Sequence, residues 1–422
     1  MPKTWLRAAA RTERLRRCLA GALALAAVVG AAAAARVAAA PQPGIASAAT
    51  SENSFALSLL PLIGGDGNAV FSPYSVDTAL TMAGAGAKGP TEEQIDHVLG
   101  ASSGATADAN AAALLRAIGS AAPSASAGAP TLELANALWI ERGVQLQRPF
   151  VSTLTDDFGA PPRPTDFETA PESALQAINT WVSQHTAGLI ANLLPSGSVT
   201  PATIFVLANA IYLKASWATP FDRHLTHRAQ FTTTTGQVVE VPFMSADNVD
   251  YAYSSGADYQ AVDLPYRSSS LSLLAILPVG ESITRFEATL TAAKLAGLVG
   301  SLHARAVDLL MPKVHLRTQT SLNGPLEALG MTDAFTPSAN FSGITAGVPL
   351  YVSLVEHAAD LKVDEQGTVA AAATGIVGPT AIARPPGPPV TVDLDRPYLL
   401  LLRDDASGAI LFVARVADPS SG

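Results

Sequence analysis

The chain has 422 residues, 48% of them hydrophobic and only 14% charged, which supplies ample material for a large core and excludes global disorder. Its formal net charge of −9 argues against nucleic acid and anionic membranes as partners. The single cysteine, Cys18, falls in a segment that reads as a leader, so the rest of the chain offers no disulfide, thiol nucleophile or cysteine-based metal site.

Lys3, Arg7, Arg11, Arg14, Arg16 and Arg17 form a positive head, and Leu19 to Ala35 is an uninterrupted small apolar run. That is a secretory signal pattern, with Ala-rich cleavage sites near Ala35, Ala40 or Ala48. The alternative is a retained membrane anchor, since the run approaches spanning length. Residues 1–40 are therefore expected to be a signal peptide, 41–50 a flexible lead-in and 51–422 one domain of a secreted protein. Removing residues 1–40 takes away seven positive charges and one negative, leaving 19 against 34, a net of −15. So acidic a chain also argues against a polyanion cofactor.

Ser51 to Ile63 places Phe55, Leu59 and Leu60 at helical spacing. Val70-Phe71 reads as a short strand entering a helix, with Ser72 as its N-cap and Pro73 at the first helical position. Thr91-Glu92-Glu93-Gln94 predicts a capping box, and Gly100 a helix stop. Residues 101–130 suggest one helix near Ala111 to Ile118, then a loop. Thr131 to Ile140 alternates as a half-buried strand, Ser173 to Thr186 is an amphipathic helix, and Thr203 to Leu213 a buried strand. Later come antiparallel strands at Gln230 to Met244 and Tyr251 to Pro278, a helix at Ile283 to Leu298, and strands at Ala306 to Leu316, Val352 to Val363, Val390 to Leu402 and Ala409 to Val416. Helices dominate early and antiparallel strands late, an α+β pattern.

No catalytic constellation emerges. Gly100-Ala101-Ser102-Ser103-Gly104 matches the nucleophile-elbow expression, but a helix precedes it where a strand is needed. His224 and His227 lack a third ligand at metal spacing, and Gly84 to Gly89 reads as a helix-ending turn. Glu365 to Ala383 stands apart. It carries no charge from Gly367 to Ala383 and nothing larger than Ile or Val, between an acidic entry and a Pro/Gly-rich exit at Pro385 to Pro389. Such a run is either a linker or a segment that can be both an exposed protease bait and a strand.

The ordered motifs resemble the serpin family. Asn179-Thr-Trp181 through Thr186, Gly188 and Ile190 is similar to that family's helix over the main sheet. Leu207-Ala-Asn209-Ala-Ile-Tyr212-Leu-Lys214-Ala-Ser-Trp217, with Phe221, is similar to a strand of that sheet. Leu264-Pro265-Tyr266, Leu277-Pro278, Leu329-Gly330-Met331, Ala334-Phe335, Phe341-Ser342-Gly343, Arg396-Pro397-Tyr398, Gly408, Leu411 to Val416 and Asp418-Pro419 follow in order. The resemblance spans about residues 51–420. Asn340 departs from it, where the family usually has an acid, and residues 101–130 lack the basic helix of polyanion-activated members.

The resemblance implies three β-sheets, eight or nine helices and an exposed reactive loop at about residues 365–389. It implies a hinge at Glu365, Gly367, Thr368, Ala370, Ala371, Ala372 and Ala373, and a sheet-opening cluster of Ser72, Ser75, Asn209 and His357. A protease would form an acyl-enzyme at the loop, and loop insertion as a new strand would carry it on the order of 40 Å and trap it. Thr368, Ala370, Ala372, Thr374 and Ile376 would face inward, with no charge to desolvate. The reactive bond is expected at Ala381–Ile382, with Thr380 or Ile382 as alternatives on the acyl side; Arg384 is disfavoured because Pro385 follows. Small aliphatic residues there suit elastase-like or subtilisin-like serine proteases. No catalytic residue, metal, cofactor or nucleic acid is implied, and a monomer is expected. The rival readings are a non-inhibitory member, such as a chaperone or protease substrate, and a cysteine-protease inhibitor.

Overall fold

The computed structural model describes residues 42–101, 105–121, 130–368 and 388–421. The leader, Ser102 to Gly104, and the loop positions Ala370 to Ala373, Thr374, Ile376, Thr380, Ala381, Ile382 and Arg384 lie outside the described residues.

Helix α1 spans Pro43–Leu59, so the stretch expected as a flexible lead-in forms its first turns. Pro43 presets the first helical φ, and Ala49 is buried while Ile45 and Ala48 pack on the core, which rewards an earlier start than Ser51. Strand β1 (Ala69–Phe71) then feeds α2 (Pro73–Gly84), whose N-cap Ser72 accepts from Ser75 N at 3.1 Å. Helix α3 (Pro90–Leu99) stops at Gly100 with φ 61°, but its N-cap is Gly89 and the expected capping box does not form. Its residues serve the tertiary structure instead. Thr91 Oγ1 accepts from Asn340 N, and Gln94 Oε1 accepts from Thr332 N and Asp333 N.

Helix α4 (Ala105–Ala121) precedes β2 (Thr131–Glu141), the short α5 (Arg148–Ser152), β3 (Arg163–Thr165), α6 (Pro171–His185) and β4 (Phe205–Ser216). Next come β5 (His227–Thr232), β6 (Val238–Ser255), β7 (Tyr259–Pro265) and β8 (Leu271–Pro278). Three segments expected to be single elements are each divided. Thr291 caps a second helix, separating α7 (Ile283–Thr289) from α8 (Ala292–Gly300). Lys313 separates β9 (His303–Pro312) from β10 (Val314–Ser321), which belong to different sheets. After α9 (Asn323–Ala328) and β11 (Leu354–Asp364) comes the two-residue β12 (Gly367–Thr368). Arg396-Pro397 then breaks the last divided segment into β13 (Val390–Asp393) and β14 (Tyr398–Asp404), before β15 (Ile410–Val416). Proline has no ladder N–H to offer there.

Among the described residues, hydrogen bonding forms a 6-stranded sheet, β10-β11-β12-β4-β2-β3, and a 9-stranded sheet. The larger one turns at β6, whose register against β9 shifts between Ala246 and Val249. Its first half carries β5, and its last residues pair with β7, which continues through β8, β14 and β15 to β1. These two halves and the 6-stranded sheet account for the three sheets expected.

The 6-stranded sheet is covered on both faces. Ile211, Leu213, Leu316, Leu361 and Val363 pack inward against Val262, Leu264, Leu400 and Phe412 of the larger sheet. Ala137, Val206, Ala208 and Ala358 face outward under Leu175, Ile178, Trp181 and Val182 of α6. Asn179 pins the segment after α6 by bonding both the N–H and the C=O of Leu194.

Candidate functional site: a slot between β4 and β11

β4 and β11 are parallel neighbours at only one end. Leu354 to His357 pair with Val206 to Asn209, and beyond that level the strands diverge. At the far end β12 sits between them. Thr368 is opposite Val363 on one side and Ala215 on the other, and Gly367 is opposite Asp364 and Ser216. Between these ends, Ala358 to Lys362 and Ala210 to Lys214 face each other across five residue levels with no described strand between them. At about 3.4 Å per residue the slot is about 17 Å long. Two strand edges facing each other across such a gap are a template on which a further strand can pair.

The seated end is tightly built. Thr368 is 0% exposed, and its hydroxyl bonds that of Tyr266. Tyr266 stacks on Trp217 at 4.6 Å and 11°. The Trp217 indole N–H donates to Asp364 O at 2.9 Å, and its backbone N–H to Gln366 O at 3.0 Å. Glu365 accepts from Lys313 Nζ at 2.9 Å and from Thr226 Oγ1 at 2.9 Å. Burial would raise this carboxyl, but Lys313 and Thr226 hold it below its ordinary value. Gly367 has φ 150°, and a Cβ there would stand 1.9 Å from Ala215 O. Gly367→Ala is therefore expected to expel β12 from the slot while leaving the rest of the fold. Hydrogen exchange at the Trp217 amide, whose acceptor is Gln366 O, should accelerate by at least about tenfold in that variant; unchanged protection would show that the backbone can yield.

The closed end holds the expected cluster. Ser72 N donates to His357 Nε2 at 3.0 Å, so the neutral ring carries its proton on Nδ1, which is buried and has no hydrogen-bond partner among the described residues. Ser72, Ser75 and His357 are all buried, and the backbone of Asn209 pairs with that of His357. The N-terminus of α2 thus abuts the level at which the strands part. Burial drives the His357 imidazole down to about 4. Its unfolded value is near 6.5, so protonation favours the unfolded chain as pH falls from about 6.5 to about 4, a loss of about 3 kcal/mol. Subtracting the urea-unfolding pH profile of His357→Gln from that of the parent should isolate this slope, and parallel profiles would contradict it.

Ser72, Ser75, His357 and the Asn209 backbone come together at one end of the slot; Glu365, Gly367 and Thr368 do so at the other. The remaining hinge positions and the reactive bond lie outside the described residues. Sequence reasoning missed Lys313 and Thr226 as holders of Glu365. No local signal marks them, because the contacts join residues 52 and 139 positions apart.

Residues 50–419 match the family model described as Serpin (serine protease inhibitor). The chain is 35% identical to Iripin-2 of Ixodes ricinus over 375 residues, 86% of this chain and 91% of that protein. It is 31% identical to plasminogen activator inhibitor 1 of Neovison vison, across 84% and 88% of the two chains. Its fold matches a thyroxine-binding globulin complex with thyroxine at a TM-score of 0.75 and 26% identity, covering 88% of this chain and 99% of that one. Family model, relatives and the two-ended slot all agree: the chain belongs to the serpins, a family made up mostly of protease inhibitors rather than enzymes.

Proposed function

We propose that this serpin is a secreted, monomeric suicide inhibitor of serine endopeptidases that inserts its cleaved loop into the slot between β4 and β11. The observation that carries the reading is the seated Gly367–Thr368 at the head of five residue levels that hold no described strand between β4 and β11. Continuing its register, Ala370 would come level with Leu361 and Leu213, and Ala372 with Ala359 and Ile211. Thr374 would come level with His357 and Asn209, where the strands are already joined. Residues beyond it must separate the Leu354–His357 ladder from β4 to go further. Small uncharged side chains suit that path, since each inward one enters a buried layer. The loop sequence around Ala381–Ile382 suits an elastase-like or subtilisin-like primary pocket, and no polyanion cofactor is required.

Incubation with pancreatic elastase and with subtilisin, followed by a denaturing gel, should give a stable covalent complex. N-terminal sequencing of the released peptide should begin at Ile382. Clean cleavage without a complex would overturn the inhibitory reading in favour of a non-inhibitory member; complex formation only with a papain-like enzyme would reassign the target class. Recovery of the chain from culture medium with residues 1–40 removed would confirm export.

A further inference from the structure

The outer face of the 6-stranded sheet carries a cleft of about 1180 Å³. Helix α6 forms one wall, through positions three and four apart from Glu172 to Gln184. Residues 191–196, the end of β10 and the start of β11 form the others. At 1.5 Å per residue the helical wall runs about 18 Å, so the cleft is long and narrow. Its polar lining consists of hydroxyls, amides and the carboxyls of Glu172 and Glu356, with no Lys, Arg or His among the described residues.

Glu356 is the anomaly. Alternation along β11 turns His357 to the inner face and sets Glu356 on the outer one with Leu354 and Ala358, beneath α6. It is only 8% exposed, yet its carboxylate makes no hydrogen bond or ion pair with a described residue. Burial raises this carboxyl above its ordinary value, and no cation opposes the rise. Glutamates so deeply buried are almost always paired.

The cations on the surrounding elements are committed elsewhere. His315 and Arg317 on β10 both bond Asp360, and Lys362 on β11 lies 3.9 Å from Asp364. His185 on α6 bonds Trp181 O and stacks on the Trp181 ring. Gln176 donates to Glu172, and Gln319 donates to the carbonyls of Asn192 and Leu193, so each amide keeps its own oxygen as an acceptor.

We propose that this cleft binds a linear aliphatic polyamine, with one ammonium against Glu356 and another drawn to Glu172 at the first turn of α6. An ammonium is a donor-only group, and these walls offer acceptors and negative charge without a competing cation. A metal ion fits poorly, since among the described residues no group of three His, Cys, Asp or Glu converges. A single amine would leave most of so long a cleft to water. The methylenes of a polyamine can instead lie against Leu175 and Leu194 between its charged ends.

Calorimetric titration of the full chain with spermidine at low ionic strength tests this without any protease, so its outcome is independent of the inhibitory reading. Binding should saturate at one ligand per chain with a Kd below about 1 mM. Glu356→Gln should weaken it by at least about tenfold, and Glu172→Gln by less. Glu93→Gln removes a charge from the first turn of α3, outside the cleft, and should leave binding unchanged. Thr180→Lys, at an exposed α6 position lining the cleft, supplies a tethered ammonium and should abolish binding. That variant keeps the test open even if Glu356→Gln does not fold. No saturable binding by the parent, equal weakening by Glu93→Gln and Glu356→Gln, retained binding in Thr180→Lys, or equal affinity for ethylamine would each overturn the proposal.

Discussion

Thr368→Arg is expected to leave the protein folded and cleavable but unable to retain the protease. Thr368 occupies a fully buried position beneath the Trp217–Tyr266 stack, and the Glu365 carboxylate, three residues before it, is already committed to Lys313. An arginine at that level would have to bury a guanidinium without a counter-charge, which costs several kcal/mol. A barrier higher by about 3 kcal/mol slows insertion by about 100-fold. That is enough for deacylation to win a race it otherwise loses, so the denaturing gel should show cut inhibitor and free enzyme. Thr368→Val, similar in volume and uncharged, should still form complex. Unchanged inhibition by the arginine variant would exclude insertion along this slot.

The second large effect concerns stability. Glu287→Ala should cost about 3–5 kcal/mol, read as a lowered urea midpoint. Arg415 and Glu287 are 3% and 2% exposed and share two bonds of 2.7 Å. Burial raises the Glu287 carboxyl, while the Arg415 partner opposes that rise. The guanidinium also gathers the carbonyls of Leu60, Ile63, Gly65 and Gly67, so it holds the whole connection between α1 and β1. Removing the carboxylate leaves a buried cation whose remaining hydrogen bonds, among the described residues, are to these carbonyls. Glu287→Gln should lose less, because it retains one acceptor. A loss below about 1 kcal/mol for the alanine variant would mean that the carbonyl cage alone suffices.

Much of this fold is legible locally, and the failures share one cause. The Ser72 cap, the Gly100 stop and the strand over Thr131 to Ile140 each depend on neighbouring residues, and each forms as expected. Ala137 to Ile140, however, are buried on both faces where a half-buried strand was expected, because α6 covers the outer one. The Thr91-Glu92-Glu93-Gln94 box has the right local chemistry, yet Thr91 and Gln94 are drawn away by backbone amides at positions 332, 333 and 340. Lys313 divides two strands because the chain passes there from one sheet to another, which periodicity cannot signal. The site follows the same rule. Gly367 and Thr368 stand out in sequence as uncharged hinge residues, whereas Lys313, fixed by a carboxylate far along the chain, does not.

The pairing of β1 with β15 sets Ala69 opposite Arg415, and Asn68 bonds Asp418 and Ser421. The strand at Ala69–Phe71 therefore finds its partner only when Val413–Arg415 has been made. The core cannot close during synthesis, and such long-range closure is intrinsically slow. A nascent chain of this design leaves β1 unpaired until β15 emerges. If the chain is exported as proposed, translocation machinery that requires an unfolded substrate would meet it in the state it can thread.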